Sequence, residues 1–445
     1  MRTYESIGLG IPHILLPTAG HDLAKWAVIA CDQFTSERDY WRKVAEFIGD
    51  APSTLNIIFP EVYLNDPDKD ERIAGIREHM ARYIRQSLFA EAEGLVYVER
   101  TTGGQTRRGL LACLDLDHYD FRKGSASLIR ATEGTILERI PPRVKIREGA
   151  PIELPHIMVL IDDPENTVIE PLSKNKDRMI KLYDFELMMG SGRVSGFRME
   201  DEGLEKGVIN GLKALGDTDA FVKKYGLNPG TPVLLYAMGD GNHSLATAKT
   251  IWEKTKDNAA VKSDVVKSPL RYALVELVNL HDEALIFEPI HRVLFDLSAG
   301  RDLFLEMKAF YPAGCRYIDT GSAQGMTAAV DGQAGAPHRI GIVTGTKFGV
   351  VEVEKSASNL PVGTLQNFLD VFMNGRGARE IDYVHGRKAL FNLGRKPGNM
   401  GLYLHAMNKK DLFKTVILDG ALPRKTFSLG EAWEKRFYLE ARKLS

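Results

Sequence analysis

Apolar residues recur every three or four positions across 69–90, where Ile73, Ile76, His79, Met80, Tyr83 and Ile84 fall on one side of a 3.6-residue repeat. The same spacing predicts helices over 202–224, 243–256 and 362–374, each bounded by Gly, Pro or Asn. Shorter apolar runs at 108–115, 156–162, 232–238, 271–280 and 339–353 predict strands. The two kinds of element interleave without a strict strand-helix-strand rhythm. That order predicts an α+β fold, a mixed sheet with flanking helices, over a doubly wound one. The proline-rich stretch over 140–155 and the Gly, Ala, Ser and Gln stretch over 319–337 read as loops, the second as an inserted hairpin. They divide the chain into 1–145, 146–318 and 319–445, as separate parts or as pieces of one continuous domain.

Composition narrows the class. With 445 residues, 44% of them hydrophobic, the chain is long and apolar enough to bury a large core, which excludes a disordered or fibrous protein. No apolar run approaches the roughly 18–20 residues that span a bilayer, and the acidic residue in Met1-Arg-Thr-Tyr-Glu5 is unlike a signal peptide, so a cytoplasmic location is expected. Cys31, Cys113 and Cys315 are scattered, without the spacing of a zinc or iron-sulfur site or of a disulfide framework. The net charge of -1 argues against a dedicated nucleic-acid binder. Charge is uneven, however: residues 375–445 hold 15 Lys plus Arg against 7 Asp plus Glu, a basic segment that suits an anion or a solvated surface.

The sharpest local pattern is the strand-like Pro232–Met238, then Gly239-Asp-Gly-Asn-His-Ser244, then a helix burying Leu245, Ala248 and Trp252. A strand that enters a helix through glycines aims the helix's unpaired first amides into the turn, where a phosphate or carboxylate is favoured. Gly239, Gly241, Asn242 and Ser244 are therefore candidate ligand-binding residues. Asp240 is a candidate general base or magnesium ligand, and His243 a candidate catalytic donor. The plain alternative is that Asp240 and Asn242 serve the turn, with Asn242 or His243 capping the helix.

The stretch Gly239–Lys249 resembles the Asp-Gly-His-His-Arg box of the family called domain of unknown function 1015. Asp240, Gly241, His243, Thr247 and Ala248 match, whereas Asn242 stands for a histidine and Ser244 for an arginine. The resemblance continues through Arg130-Ala-Thr-Glu133, Leu285–Arg292, Ile381–His385 and Leu422–Phe427, while Trp26–Phe34 departs from the family's usual form. It implies a core like that of ParB, sulfiredoxin and a free-serine kinase, elaborated by N- and C-terminal segments and handling nucleotides. It also points to Glu133 as a catalytic acid.

Beyond that box, Arg130, Glu133, Arg139 and Arg143 crowd around Pro141-Pro142, a set suited to bidentate phosphate recognition or to a surface ion-pair loop. His291 and Arg292 end a strand-like run that could share a sheet edge with Asp240, and Arg424 and Lys425 form a candidate phosphate clamp. Glu276, inside an apolar run, is either an inward catalytic acid or on a solvated face; Cys31 reads as a buried structural thiol before a nucleophile. The expected function is a phosphotransferase using magnesium and a nucleoside phosphate on a small anionic substrate. A ParB-like DNA-associated protein and a hydrolase or sensor are the alternatives.

Overall fold

Along residues 105–115 every apolar side chain is buried, because consecutive residues point to opposite faces of a sheet that is covered on both. Leu110, Ala112 and Leu114 enter one core; Leu111 and Cys113 enter the other. The computed structural model describes residues 1–444 apart from 136, 138–139, 260–264 and 333–335. The chain forms two compact units, Met1–Leu285 with Gly430–Ser445, and Ile286–Leu429. Residues 145 and 319, where the proline- and glycine-rich stretches suggested boundaries, lie inside the first and the second unit.

The first unit is built on a mixed sheet of eleven strands among the described residues. They are β1 (Thr3–Tyr4), β2 (Leu9–Gly10), β3 (Val96–Thr102), β4 (Gln105–Asp115), β5 (Tyr119–Asp120), β6 (Ile129–Arg130), β7 (Met158–Ile161), β8 (Met179–Glu186), β9 (Arg193–Met199), β10 (Tyr236–Asp240) and β11 (Tyr272–Asn279). The order is β8-β9-β3-β4-β11-β7-β10-β6-β5, with β2 added to β4 and β1 to β2. β7 runs parallel to β11 and antiparallel to β10, and β10 runs parallel to β6. The α+β expectation is met.

Helices cover both faces: α1 (Lys69–Arg85), α2 (Ile140–Arg147), α3 (Glu202–Leu215), α4 (Thr218–Tyr225) and α5 (Asn242–Asn258). α1 buries Ile73, Ile76, Met80 and Tyr83 against one core, and α5 buries Leu245, Ala248 and Trp252 in the other, each large side chain stabilising by about 1.5–3 kcal/mol. The predicted helix over 69–90 stops at Arg85, because Ser87 takes a positive φ and Phe89–Glu93 pairs as a strand with His13–Pro17. The stretch 202–224 breaks at Gly216, and Asp217 caps α4 through a 2.9 Å bond from the Ala220 amide. The expected loop over 140–155 contains α2, which tolerates Pro141 and Pro142 because the first-turn amides have no intrahelical partner.

Among the described residues the second unit carries a seven-stranded sheet: β12 (Phe287–Leu297), β13 (Cys315–Asp319), β14 (His338–Thr344), β15 (Lys347–Val353), β16 (Ala378–His385), β17 (Met400–Tyr403) and β18 (Phe427–Leu429). The order is β13-β15-β14-β17-β12-β16, with β18 also on β12. The predicted strand over 339–353 is the hairpin of β14 and β15, turned at Gly345. The expected hairpin within 319–337 is instead α6 (Ala323–Asp331), whose start is fixed by Ser322 accepting from the Gly325 amide at 3.0 Å. Small residues with one apolar stripe, Met326 and Val330, explain why a loop-like composition folds as a helix.

Candidate active site

β10 delivers the glycine turn. Tyr236, Ala237 and Met238 are fully buried, Gly239 and Asp240 half-buried, and Gly241 turns the chain at φ +80. That φ is the left-handed region that favours glycine, and a Cβ there would stand 3.1 Å from the Ile157 Cα, so the position excludes side chains on two counts. α5 starts directly after it with Gly241 at the cap, and no side chain caps the helix. The expectation that Asn242 or His243 caps it is not met: both lie within the first turn, and the Asn242 Oδ1 is buried without a hydrogen-bond partner.

Asp240 is held on both oxygens. Oδ1 accepts from the Gly241 amide at 2.8 Å, and Oδ2 pairs with Lys435 Nζ at 3.1 Å. Both Asp240 oxygens are thus already engaged, one by an amide and one by an ammonium group that competes with a magnesium ion. Among the described residues, no group of three His, Cys, Asp or Glu could hold a metal. Glu133 follows β6, where Thr132 donates to the Met238 carbonyl at 2.8 Å, so it leaves the sheet beside the C-terminal end of β10.

Ser244, one residue into the helix beyond His243, opens onto a cavity of about 130 Å3. Its Oγ lies 3.3 Å from His156 Nε2, and the other ring nitrogen, Nδ1, is 2.8 Å from the Tyr438 hydroxyl. Tyr438 also donates to Cys31 Sγ at 3.0 Å. Asp32 Oδ2 stands 3.5 Å from His156 Nε2. Glu61 and Arg143 form an ion pair in the cavity wall, and Ile58, Met80 and Ile146 supply apolar lining.

These contacts set the charges. Burial disfavours charge on Asp32 and on His156, but their attraction prevails, holding the carboxyl below its ordinary range and the imidazole above its own. His156 is therefore protonated more readily than an exposed histidine. Burial pushes Glu61 up despite Arg143. Burial, with Asp32 and Glu61 nearby, pushes the Cys31 thiol far up, so it stays protonated and is no nucleophile.

The other predicted residues are placed elsewhere. Arg130 is 5% exposed and spends its guanidinium on the Ser127, Pro232 and Val233 carbonyls; this loop anchoring also explains why strand pairing starts at Tyr236 and not at Pro232. Arg139 lies outside the described residues. His291 and Arg292 are buried in β12 of the second sheet, so they do not share a sheet with Asp240 as expected. His291 accepts from the Leu404 amide and stacks on Tyr403, with burial and Arg292 pushing it down to about 3; Arg292 donates to the Arg424 carbonyl at 3.0 Å. Arg424 is exposed and paired with Asp370 at 2.6 Å, and Lys425 is exposed at φ +55. Glu276 does not sit on a solvated strand face: it is 1% exposed and paired with Arg436.

The model of the family described as "Protein of unknown function (DUF1015)" matches residues 15–372. The chain belongs to the DUF1015 family. Its turn and cavity both fall within the matched span, except for Lys435 and Tyr438, which the C-terminal segment brings in. No curated protein matches the chain. Among solved structures, a free serine kinase in complex with AMP shares 10% identity over 75% of this chain and 92% of its own, with a TM-score of 0.38. A conserved hypothetical protein from Pyrococcus furiosus shares 12% over 75% and 95%, at 0.36, and SbnI with C-terminal truncation from Staphylococcus aureus 11% over 74% and 82%, at 0.33. At such values the likeness says nothing about a ligand. Among the described residues no helix is long and apolar enough to cross a membrane.

His156, Tyr438, Lys435, Glu61 and Asp32 escaped the sequence reading as site residues. His156 opens an apolar strand-like run and Tyr438 sits in the basic tail, so neither has a local motif. Asp32 offered the one usable signal, because it falls where the chain departs from the family's usual N-terminal form.

Proposed function

We propose that this DUF1015 protein is an enzyme that binds a nucleoside phosphate, or another phosphorylated small molecule, at the Gly239–Ser244 turn and transfers its phosphoryl group to a small acceptor in the adjoining cavity. The observation that carries the reading is the 3.3 Å contact between Ser244 in the first turn of α5 and the His156 ring in the cavity wall. It joins an uncapped helix start, which attracts phosphate, to a buried histidine whose protonated form stabilises transferred charge. The cavity is about 130 Å3, close to the roughly 150 Å3 void that accepts benzene, so it suits the acceptor and not a whole nucleotide. On this reading the β6, β10 and α5 assembly is a ParB/sulfiredoxin-like core.

The roles follow from charge and reach. The positive end of the α5 dipole and Lys435 hold the phosphate, and His156, its protonated form favoured by Asp32, opposes the developing negative charge. Glu61, with its pKa raised by burial and lying in the cavity wall, takes the acceptor hydroxyl's proton. Asp240 orients Lys435 and the turn. The test is phosphorus NMR of the purified protein with ATP, ADP or CTP and serine or sugar acceptors, alongside nucleotide titration by calorimetry. Transfer lost in His156→Ala with nucleotide binding retained is the expected result. Absence of both binding and turnover across these ligands refutes the proposal, and binding without turnover in the unaltered protein makes it a sensor.

A further inference from the structure

The ladder between β3 and β4 sets Arg100 directly opposite Arg107. Like charges so placed repel, and this pair is out of water: Arg100 is 5% exposed and the Arg107 side chain 11%. The neighbouring acids are already engaged. Glu276 pairs with Arg436 and stands 3.5 Å from Arg107, while Glu440 receives Arg436 at 2.6 Å and the Tyr183 hydroxyl. Glu434, half-buried, accepts from the Glu431 amide at 2.7 Å. Three arginines thus face the buried Glu276 and Glu440, with the half-buried Glu434 also near Arg100, so the charges balance in number while Arg100 itself makes no ion pair among the described residues.

Arg100 donates Nη2 to the Trp433 carbonyl at 3.1 Å and lies over the Phe437 ring at 5.2 Å. Its Nε and Nη1, and Arg107 Nε, are buried without a hydrogen-bond partner. A buried donor left so costs about 1–3 kcal/mol, more when charged. Between these groups lies a cavity of about 20 Å3, room for one atom-sized guest, with Glu276 and Glu440, each paired with Arg436, also in its wall. We propose that this cavity is a binding site for a small monovalent anion of the halide class, chloride foremost, held by Arg100 and Arg107. A water molecule would accept the hydrogen bonds but leave the repulsion between Arg100 and Arg107; sulfate and phosphate exceed the space. Burial, and Arg107 beside it, push the Arg100 guanidinium down to about 9, a penalty that an anion relieves. The guest would also fasten residues 433–440, whose other side chains include Lys435 and Tyr438.

The test follows thermal unfolding of the whole protein by tryptophan fluorescence in sodium chloride and in sodium gluconate of equal ionic strength. A saturable upward shift of a few degrees with chloride is expected. Arg100→Met should abolish that shift, whereas Arg122→Met, at a side chain 82% exposed, should keep it. Bromide-soaked crystals of the unaltered protein decide the matter independently should Arg100→Met not fold: an anomalous peak within hydrogen-bond reach of Arg100 and Arg107 supports the site. Equal midpoints in the two salts, or density at that point without anomalous signal, overturn it in favour of water.

Discussion

Replacing Gly241 by alanine tests the turn on which the site is built. An L residue at φ +80 costs about 1–2 kcal/mol, and the added Cβ meets Ile157 Cα at 3.1 Å and Cγ1 at 3.2 Å, where backbone cannot give way. Overpacking of that kind adds about 1–3 kcal/mol, for a sum of about 2–5 kcal/mol. Gly124, at φ +77 with nothing within 4 Å of its would-be Cβ, isolates the conformational part, about 1–2 kcal/mol. Gly75, within α1 and equally open, should instead gain about 0.5–1 kcal/mol as alanine. All four tryptophans, Trp26, Trp41, Trp252 and Trp433, belong to the first unit, so urea unfolding followed by their fluorescence reports this unit. With a slope of about 3 kcal/mol per molar urea, Gly241→Ala should lower the midpoint by about 1 M. A midpoint no lower than that of Gly124→Ala refutes the claim that the turn is sterically closed on Ile157.

Three further outcomes are expected. Glu276→Ala leaves Arg436 with Glu440 as its one remaining carboxylate and takes the acid from Arg107, and should cost about 3–5 kcal/mol in the same urea experiment. Asp32, with its pKa depressed by His156, contributes stability above about pH 4 that is lost as pH falls, and His156, with its pKa raised, contributes stability below about pH 6.5 that is lost as pH rises through its folded value. The gap in melting temperature between the unaltered protein and Asp32→Asn should therefore be widest between about pH 4 and 6.5 and narrow as pH rises through the folded value of His156; a constant gap counts against the ion pair. Lys435→Met removes a charge-assisted phosphate contact worth about 1.5–3 kcal/mol, so calorimetry should show nucleotide binding weakened about 10- to 100-fold.

What the sequence disclosed and what it hid divide along one physical line. α1, α5 and α7 (Pro361–Asn374) and the strands β4, β7 and β11 were legible because each buries its own periodic face or a continuous apolar run. The Gly239–Ser244 turn was legible because it is local: strand, glycines and helix follow one another within a dozen residues. The helices α2 and α6 were not, since prolines in a first turn and small residues on a short helix carry the composition of loops.

The site's remaining groups were hidden for a different reason, which is distance along the chain. Tyr438 meets His156 across 282 positions and Cys31 across 407. The pairing of Phe437–Tyr438 with Val28–Ile29 creates those contacts, and no periodicity in either segment announces it. The same segment places Arg436 between Glu276 and Glu440 and Lys435 on Asp240. The excess of basic residues after position 375 was visible, but which of them enters the site depended on this pairing: Lys435 does so, whereas Arg424 and Lys425, which looked more like a phosphate clamp, belong to the second unit. A chain end that closes the first unit's core thereby also completes its candidate active site, so loosening residues 433–440 should cost stability and ligand binding together.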